Sequence, residues 1–336
     1  MYKLKKPKNY ISSLNLRDTQ KAIKLLKDSF ELELAYSLNL ERVSAPMIVP
    51  SKSGINDDLS GVERPVRFDI AAIKDYDAEV VHSLAKWKRI ALKQYGFKTG
   101  EGLYTDMNAL RRDDEIDNIH SIYVDQWDWE IVIDKAKRTE EFLKSVVLNI
   151  ANSIHKTLEL LKIRFPSITT SFSKDVFFIT AQELLNLYPN LTANQREEKI
   201  TREKKTVFIL KIGTKLSNGE YHSLRAPDYD DWSLNGDLIV WNDVLSEPLE
   251  LSSMGVRVDE KSLKLQLQAS SKTDRLKHSY HKAIIDNSLP LTIGGGIGQS
   301  RLCMFLLGKA HIGEVQASIW PKKLIEECKK ENIILL

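Results

Sequence analysis

Cysteine is nearly absent: Cys303 and Cys328 are the only two in 336 residues. Two thiols make neither a disulfide framework nor a zinc ligand set, and neither has a histidine beside it to make it a nucleophile; a reducing compartment follows. No run approaches the roughly 18 consecutive apolar residues of a membrane span. The first ten residues are basic through Lys3, Lys5, Lys6 and Lys8, but they lack the apolar stretch of a signal peptide. A cytoplasmic protein with a solvated, frayed N-terminal arm is expected. Charge of one sign is lacking as well. Forty-nine basic and 46 acidic side chains leave +3, so no global field points to DNA or RNA. Repeats, low-complexity tracts and Pro/Gly/Ser linkers are missing too, and a single domain over residues 1–336 is expected.

What is present is an ordinary globular balance, 42% apolar and 28% charged. Helical spacing predicts a helix over about Thr19–Leu38, capped by Asp18, and a long one over Thr139–Ile163. Others are predicted over Ala85–Tyr95, stopped by Gly96, over Thr273–Asp286 and over Gln299–Leu307. Strands are predicted over Arg42–Val49 (interrupted by Pro46), Glu79–Leu84, Val207–Ile212, Asp237–Trp241, Leu249–Val258 and Leu291–Ile293. Leu103–Arg111 and His120–Ile131 read as an antiparallel pair joined by a long polar loop. Hairpin-joined strands with helices gathered elsewhere argue for an α+β fold with a mainly antiparallel sheet.

Several segments carry more polar chemistry than folding needs. Gly294–Gly298 precedes Arg301 at a helix start; glycines at a strand end allow a sharp bend or a flat ligand, and Arg301 can meet a phosphate or a base. Neither a dinucleotide fingerprint nor a G-x-x-x-x-G-K-[ST] loop is present. Strand alternation places His120, Gln126 and Asp128 on one face and Tyr123, Asp125 and Trp127 on the other, so both faces carry polar groups that need partners. Arg225-Ala-Pro-Asp-Tyr-Asp230-Asp-Trp232 sets an arginine among three carboxylates. Asp237 and Glu250 on adjacent strands can hold Mg²⁺ together with phosphates, beside Ser253 and Arg257. His82-Ser83-Leu-Ala-Lys86-Trp-Lys88-Arg89 puts three cations at a helix start, where an anion should lie nearby. The alternatives are a solvated basic face, an acidic surface loop and an internal hydrogen-bond network. His278 and His281 share a helix face with no third ligand.

Taken in order, these segments resemble the catalytic domain of class II aminoacyl-tRNA synthetases. The region 19–50 is similar to motif 1, about 100–131 to motif 2 and about 290–308 to motif 3. Within that superfamily His82–Arg89, Gly100–Thr105, Tyr123–Glu130, Arg225–Trp232 and Gly294–Leu302 resemble ammonia-dependent aspartate–ammonia ligases, with matching order from about residue 15 to 320. The resemblance implies a six- to eight-stranded antiparallel sheet flanked by helices, ATP and Mg²⁺ as cofactors, and L-aspartate and ammonia as substrates, in a homodimer. It implies β-aspartyl-AMP as intermediate. Arg111, Gln126, Asp57 (in the loop Gly54–Asp58), Asp128 and Asp230 would be catalytic. Ser83, Lys88, Arg225, Ser253 and Arg257 would bind aspartate. Arg111, His120, Tyr123, Gly296, Gly298 and Arg301 would bind ATP, and Asp237 with Glu250 the metal. Glutamine-dependent synthesis would need a cysteine at the mature N-terminus; position 2 is Tyr2, so ammonia is the expected donor. The competing readings are a tRNA-charging enzyme, which would need added tRNA contacts, and an inactive binding paralogue, which should have lost Arg111, Arg301 or Glu250.

Overall fold

A computed structural model describes residues 2–57, 59 and 63–336. Residues 2–10 are not a frayed arm. Lys3 N donates to Ile116 O at 3.0 Å and Lys5 N to Asn118 Oδ1 at 2.6 Å, while the Tyr10 hydroxyl donates to Glu314 Oε1 at 2.9 Å. Helix α1 (Leu16–Leu38) buries Ala22, Leu26, Phe30 and Leu34. Its cap is Asn15, whose side chain accepts from Asp18 N at 2.9 Å. Asp18, the expected cap, lies inside the first turn, because the helix extends beyond its apolar stripe. The expected strand over 42–49 is two strands in different sheets, β1 (Leu40–Arg42) and β2 (Ile48–Pro50); Pro46 has no N–H to continue a ladder. Strands β3 (Arg67–Ile70) and β4 (Ile73–Val80) join β2 in a three-stranded sheet of order β2-β4-β3.

Helix α2 (Ala85–Tyr95) ends at Gly96, whose φ of 78° suits glycine. Strands β5 (Gly102–Leu110) and β6 (Tyr123–Val132) pair antiparallel, and α3 (Glu140–Arg164) follows, capped by Thr139. Then come β7 (Phe177–Thr180), α4 (Ala181–Leu187), α5 (Ala193–Lys204), β8 (Thr206–Leu210), β9 (Asp230–Asn242) and β10 (Glu247–Arg257). The predicted helix over 273–286 is a 3₁₀ turn, Thr273–Lys277, followed by a short α7 (Ser279–Ile285); α6 (Glu260–Ala269) precedes them. Last are β11 (Thr292–Gly298), α8 (Gln299–Leu306) and α9 (Lys322–Lys330).

The main sheet has eight strands in the order β1-β5-β6-β11-β10-β9-β8-β7, parallel only where β1 meets β5 and β7 meets β8. One face carries the core: Trp127 and Trp129 of β6, Met254 and Val256 of β10 and Ile293 and Ile297 of β11 pack with α1, α3 and α8. The Phe30 and Trp127 rings meet at 4.8 Å between centroids. Because successive side chains alternate across a strand, Gln126, Asp128 and Glu130 of β6 and Ser253 and Arg257 of β10 face the other way. The site is built on that second face. Among the described residues no helix is long and apolar enough to cross a membrane.

Candidate active site

A cleft of about 490 Å³ opens over this polar face. Asp57, Ser83, Lys88, Arg111, His120, Tyr123, Gln126, Asp128, Arg225, Asp230, Glu250, Ser253, Arg257, Gly296, Gly298 and Arg301 all line it. The structure therefore gathers every singled-out site residue except Asp237, which sits behind Arg225. Asp58, next to Asp57, lies outside the described residues.

The glycines do not form a bend at a strand end. Gly294, Gly295 and Gly296 run through the middle of β11, opposite Glu130, Trp129 and Asp128 of β6, and Gly298 ends it opposite Gln126; none has a left-handed φ. Their bareness makes room for side chains crossing the sheet. A Cβ on Gly294 would sit 2.6 Å from Glu130 Oε2 and 2.7 Å from Arg257 Nη2, and one on Gly296 would collide with Gln126 Oε1.

Beneath these glycines lies a buried ionic triad. Arg257 Nη2 reaches Glu130 Oε2 at 2.9 Å, Arg257 Nη1 is paired closely with Asp230, and Thr292 Oγ1 donates to Glu130 Oε1 at 2.7 Å. Burial pushes the Asp230 carboxyl up, with Arg257 opposing. Removing one member of such a group strands a buried charge, at a cost of about 3–5 kcal/mol. Glu130 was missed as a site residue, although the polar series Gln126, Asp128, Glu130 at period two carried the signal.

The three cations of α2 are buried rather than a solvated face, and their partners come from the protein. Lys86 Nζ lies 3.0 Å from Asp228, Arg89 donates to Pro290 O and Val258 O, and Lys88 is paired closely with Asp128 Oδ1 and donates to Gly295 O at 2.9 Å. Burial draws the Lys88 pKa down while Asp128 opposes it. Asp128 Oδ2 is buried with no hydrogen-bond partner. A carboxylate oxygen left so at a cleft floor asks for a donor from a ligand.

Arg111 follows the end of β5, and its Nη2 reaches His82 O at only 3.4 Å, leaving Nε buried without a partner. His120 is not on the β6 face as alternation predicted, since the strand starts at Tyr123. It sits in the preceding turn, its Nδ1 2.9 Å from Asp117. Arg301 of α8 donates to Glu250 O at 3.1 Å. Arg225 Nη1 donates to Ser253 Oγ at 3.2 Å and its Nη2 is paired closely with Asp237. Asp237 lies opposite Ser253 and Glu250 opposite Ile239, with a one-residue bulge at Glu250/Ser252 between the two pairs. Asp237 Oδ1 has no hydrogen-bond partner. Burial, with Glu250 nearby, pushes its carboxyl up to about 7 against the pull of Arg225. Among the described residues no group of three or more metal-ligating side chains occurs, so a cation here would rest on this pair and on a ligand.

The sequence profile of the aspartate-ammonia ligase family matches residues 17–332. An aspartate–ammonia ligase of Ruminiclostridium cellulolyticum is 56% identical over 336 residues, covering 100% of both chains, and one of Lactobacillus johnsonii is 55% identical over 98% of each. Among solved structures, the chain is similar to asparaginyl-tRNA synthetase from Entamoeba histolytica in complex with asparaginyl-adenylate. The TM-score is 0.65 at 12% identity, with 89% of this chain and 66% of that one covered. The Pyrococcus horikoshii asparaginyl-tRNA synthetase complexed with asparaginyl-adenylate gives 0.65 at 14%, over 90% and 70%. At that identity the likeness is one of fold, and the fold is the class II synthetase-like sheet that the motifs implied. With its full length matched at more than half identity, the chain belongs to the aspartate–ammonia ligase family.

Proposed function

We propose that the cleft makes L-asparagine from L-aspartate, ammonia and ATP in two displacements. The carrying observation is a full-length family match converging on one cleft lined by two arginines, Arg111 and Arg301, and by the buried carboxylates Asp57, Asp128 and Asp230. In the first displacement a β-carboxylate oxygen attacks the α-phosphorus and pyrophosphate leaves. In the second, ammonia attacks the β-carbonyl carbon, AMP departs with the bonding pair and one proton is given up. A free carboxylate resists attack by ammonia; the adenylate supplies the leaving group.

Arg111, with no strong internal partner, is free to turn toward the α-phosphate, where charge grows in the transition state. Arg301, Gly296, Gly298, His120 and Tyr123 bind the rest of ATP. Lys88 and Arg225 take the carboxylates of aspartate, and Ser83, Gln126 and Ser253 orient it. Asp57, Asp128 and Asp230 receive the ammonium group or the incoming ammonia, and a carboxylate there can accept the proton. Arg257, already engaged by Glu130 and Asp230, acts on aspartate through Asp230. Asp237 and Glu250 fit a divalent cation, because a buried carboxylate oxygen without a partner sits beside a second carboxylate. Mg²⁺ bound there with ATP would neutralise phosphate charge.

The enzyme works as a cytoplasmic homodimer. Leu32 and Tyr36 on α1, exposed at 66% and 86%, and Met47 and Ile48 at β2, exposed at 54% and 42%, are apolar residues of the motif 1-like region that a partner subunit would cover.

Purified protein with ATP, Mg²⁺, aspartate and ammonium chloride should form AMP and asparagine in equal amounts, and replacing ammonium by glutamine should abolish both. AMP or pyrophosphate exchange without asparagine would overturn the assignment of ammonia as acceptor. Arg111→Ala should cut the rate by about 10²–10³-fold, the scale for losing one charge-stabilising donor.

A further inference from the structure

Arg301 is the third residue of α8, and its own helix does little to fix that start: the N-cap is Gly298, with no side-chain cap. The two residues before Arg301 are held from the sheet instead. Gln299 Nε2 donates to Asp106 Oδ1 at 2.9 Å. Ser300 donates twice to Asp125, from N at 3.0 Å and from Oγ at 2.8 Å. Each acid is itself paired with a cation near the chain's start. Arg42 of β1 reaches Asp106 at 2.9 Å, and Lys27 of α1 reaches Asp125 at 3.3 Å. Gln316 closes the second network, donating to Ser300 Oγ at 2.9 Å.

Asp125 is the informative member. It is only 7% exposed and stands at the alternation position shared with Trp127, a wholly buried core residue. A carboxylate there is unfavourable unless fully hydrogen-bonded, and every partner it has lies on α1, on α8 or at Gln316. Its charge also sits at the positive end of α8. Arg301, one residue beyond Ser300, leaves this pinned turn to reach Glu250 O and, at 3.4 Å, Ile119 O.

We propose that Asp125 is a positioning residue for the nucleotide half of the reaction, fixing the first turn of α8 and so the aim of Arg301. The inference rests on the reading of Arg301 as an ATP ligand, and the experiment separates the two. Binding of ATP with Mg²⁺, and of aspartate, is measured calorimetrically on the full chain. Asp125→Ala should weaken ATP about tenfold, the size of one charge-assisted hydrogen bond, and leave aspartate within about twofold. Asp125→Asn keeps an acceptor for the Ser300 amide and should recover part of the loss. In an Arg301→Ala background Asp125→Ala should add less than about twofold, because both changes remove one contact. Additive losses, or equal weakening of both ligands with a lowered Tm, would overturn the positioning role. If the unsubstituted chain fails to bind ATP, the nucleotide reading of Arg301 falls, and the inference with it.

Discussion

Asp237 carries the clearest acid–base consequence in the site. Its carboxyl is held up to about 7 by burial and by Glu250, so lowering the pH through that value protonates it and removes a negative charge from the proposed cation pair. Metal affinity requires the deprotonated ligand. The Mg²⁺ concentration for half-maximal aspartate-dependent ATP–pyrophosphate exchange should therefore rise about fivefold from pH 7 to pH 6. Asp237→Asn should need more Mg²⁺ at both values and lose that dependence. A wild-type Mg²⁺ requirement flat between pH 6 and 8 would remove Asp237 from the metal site. Individual residues were legible where chemistry outweighed folding: Gln126 and Asp128 stood out because the inner face of a half-buried strand seldom carries amides or carboxylates. His120 lines the cleft for a different reason than alternation gave, since the local Asp117 bonds hold it in a turn.

At the level of elements, β11 shows why composition misleads. Glycine normally weakens strands, so Gly294–Gly298 read as a strand end that bends or takes a flat ligand; in fact a central strand is kept bare so that Gln126 and the Glu130–Arg257 pair can cross it. Gly296→Ala should displace Gln126 and lower turnover with aspartate by about 10²-fold, as misplacement by an ångström does, while Tm moves by only a few degrees. An unchanged kcat would show that Gln126 does not orient the substrate. Long amphipathic pieces such as α1 and α3 were readable from period alone. Helix α5 was not, because its ANQREEKITREK sequence buries only Arg196, Ile200 and Thr201 and so has almost no apolar stripe.

For the molecule as a whole, strand order was beyond periodicity, because the joins that make the sheet link distant residues: β1 with β5, and β6 with β11. The motif order, matched to a known architecture, implied the mainly antiparallel sheet and left its strand order open. The proposed assembly belongs to this scale too. Tyr36→Glu places a charge in the apolar set on α1 and should shift sedimentation from dimer to monomer at micromolar concentration; a dimer that persists would move the interface elsewhere.

The docked N-terminal segment bears on how the protein is handled. Residues 3 and 5 are stitched to Ile116 and Asn118, inside the loop that delivers Arg111 at one end and His120 at the other. Residues 2–10 thus brace that loop rather than serve as a handle, and a purification tag or trimmed start placed there should loosen the segment that carries Arg111 and His120.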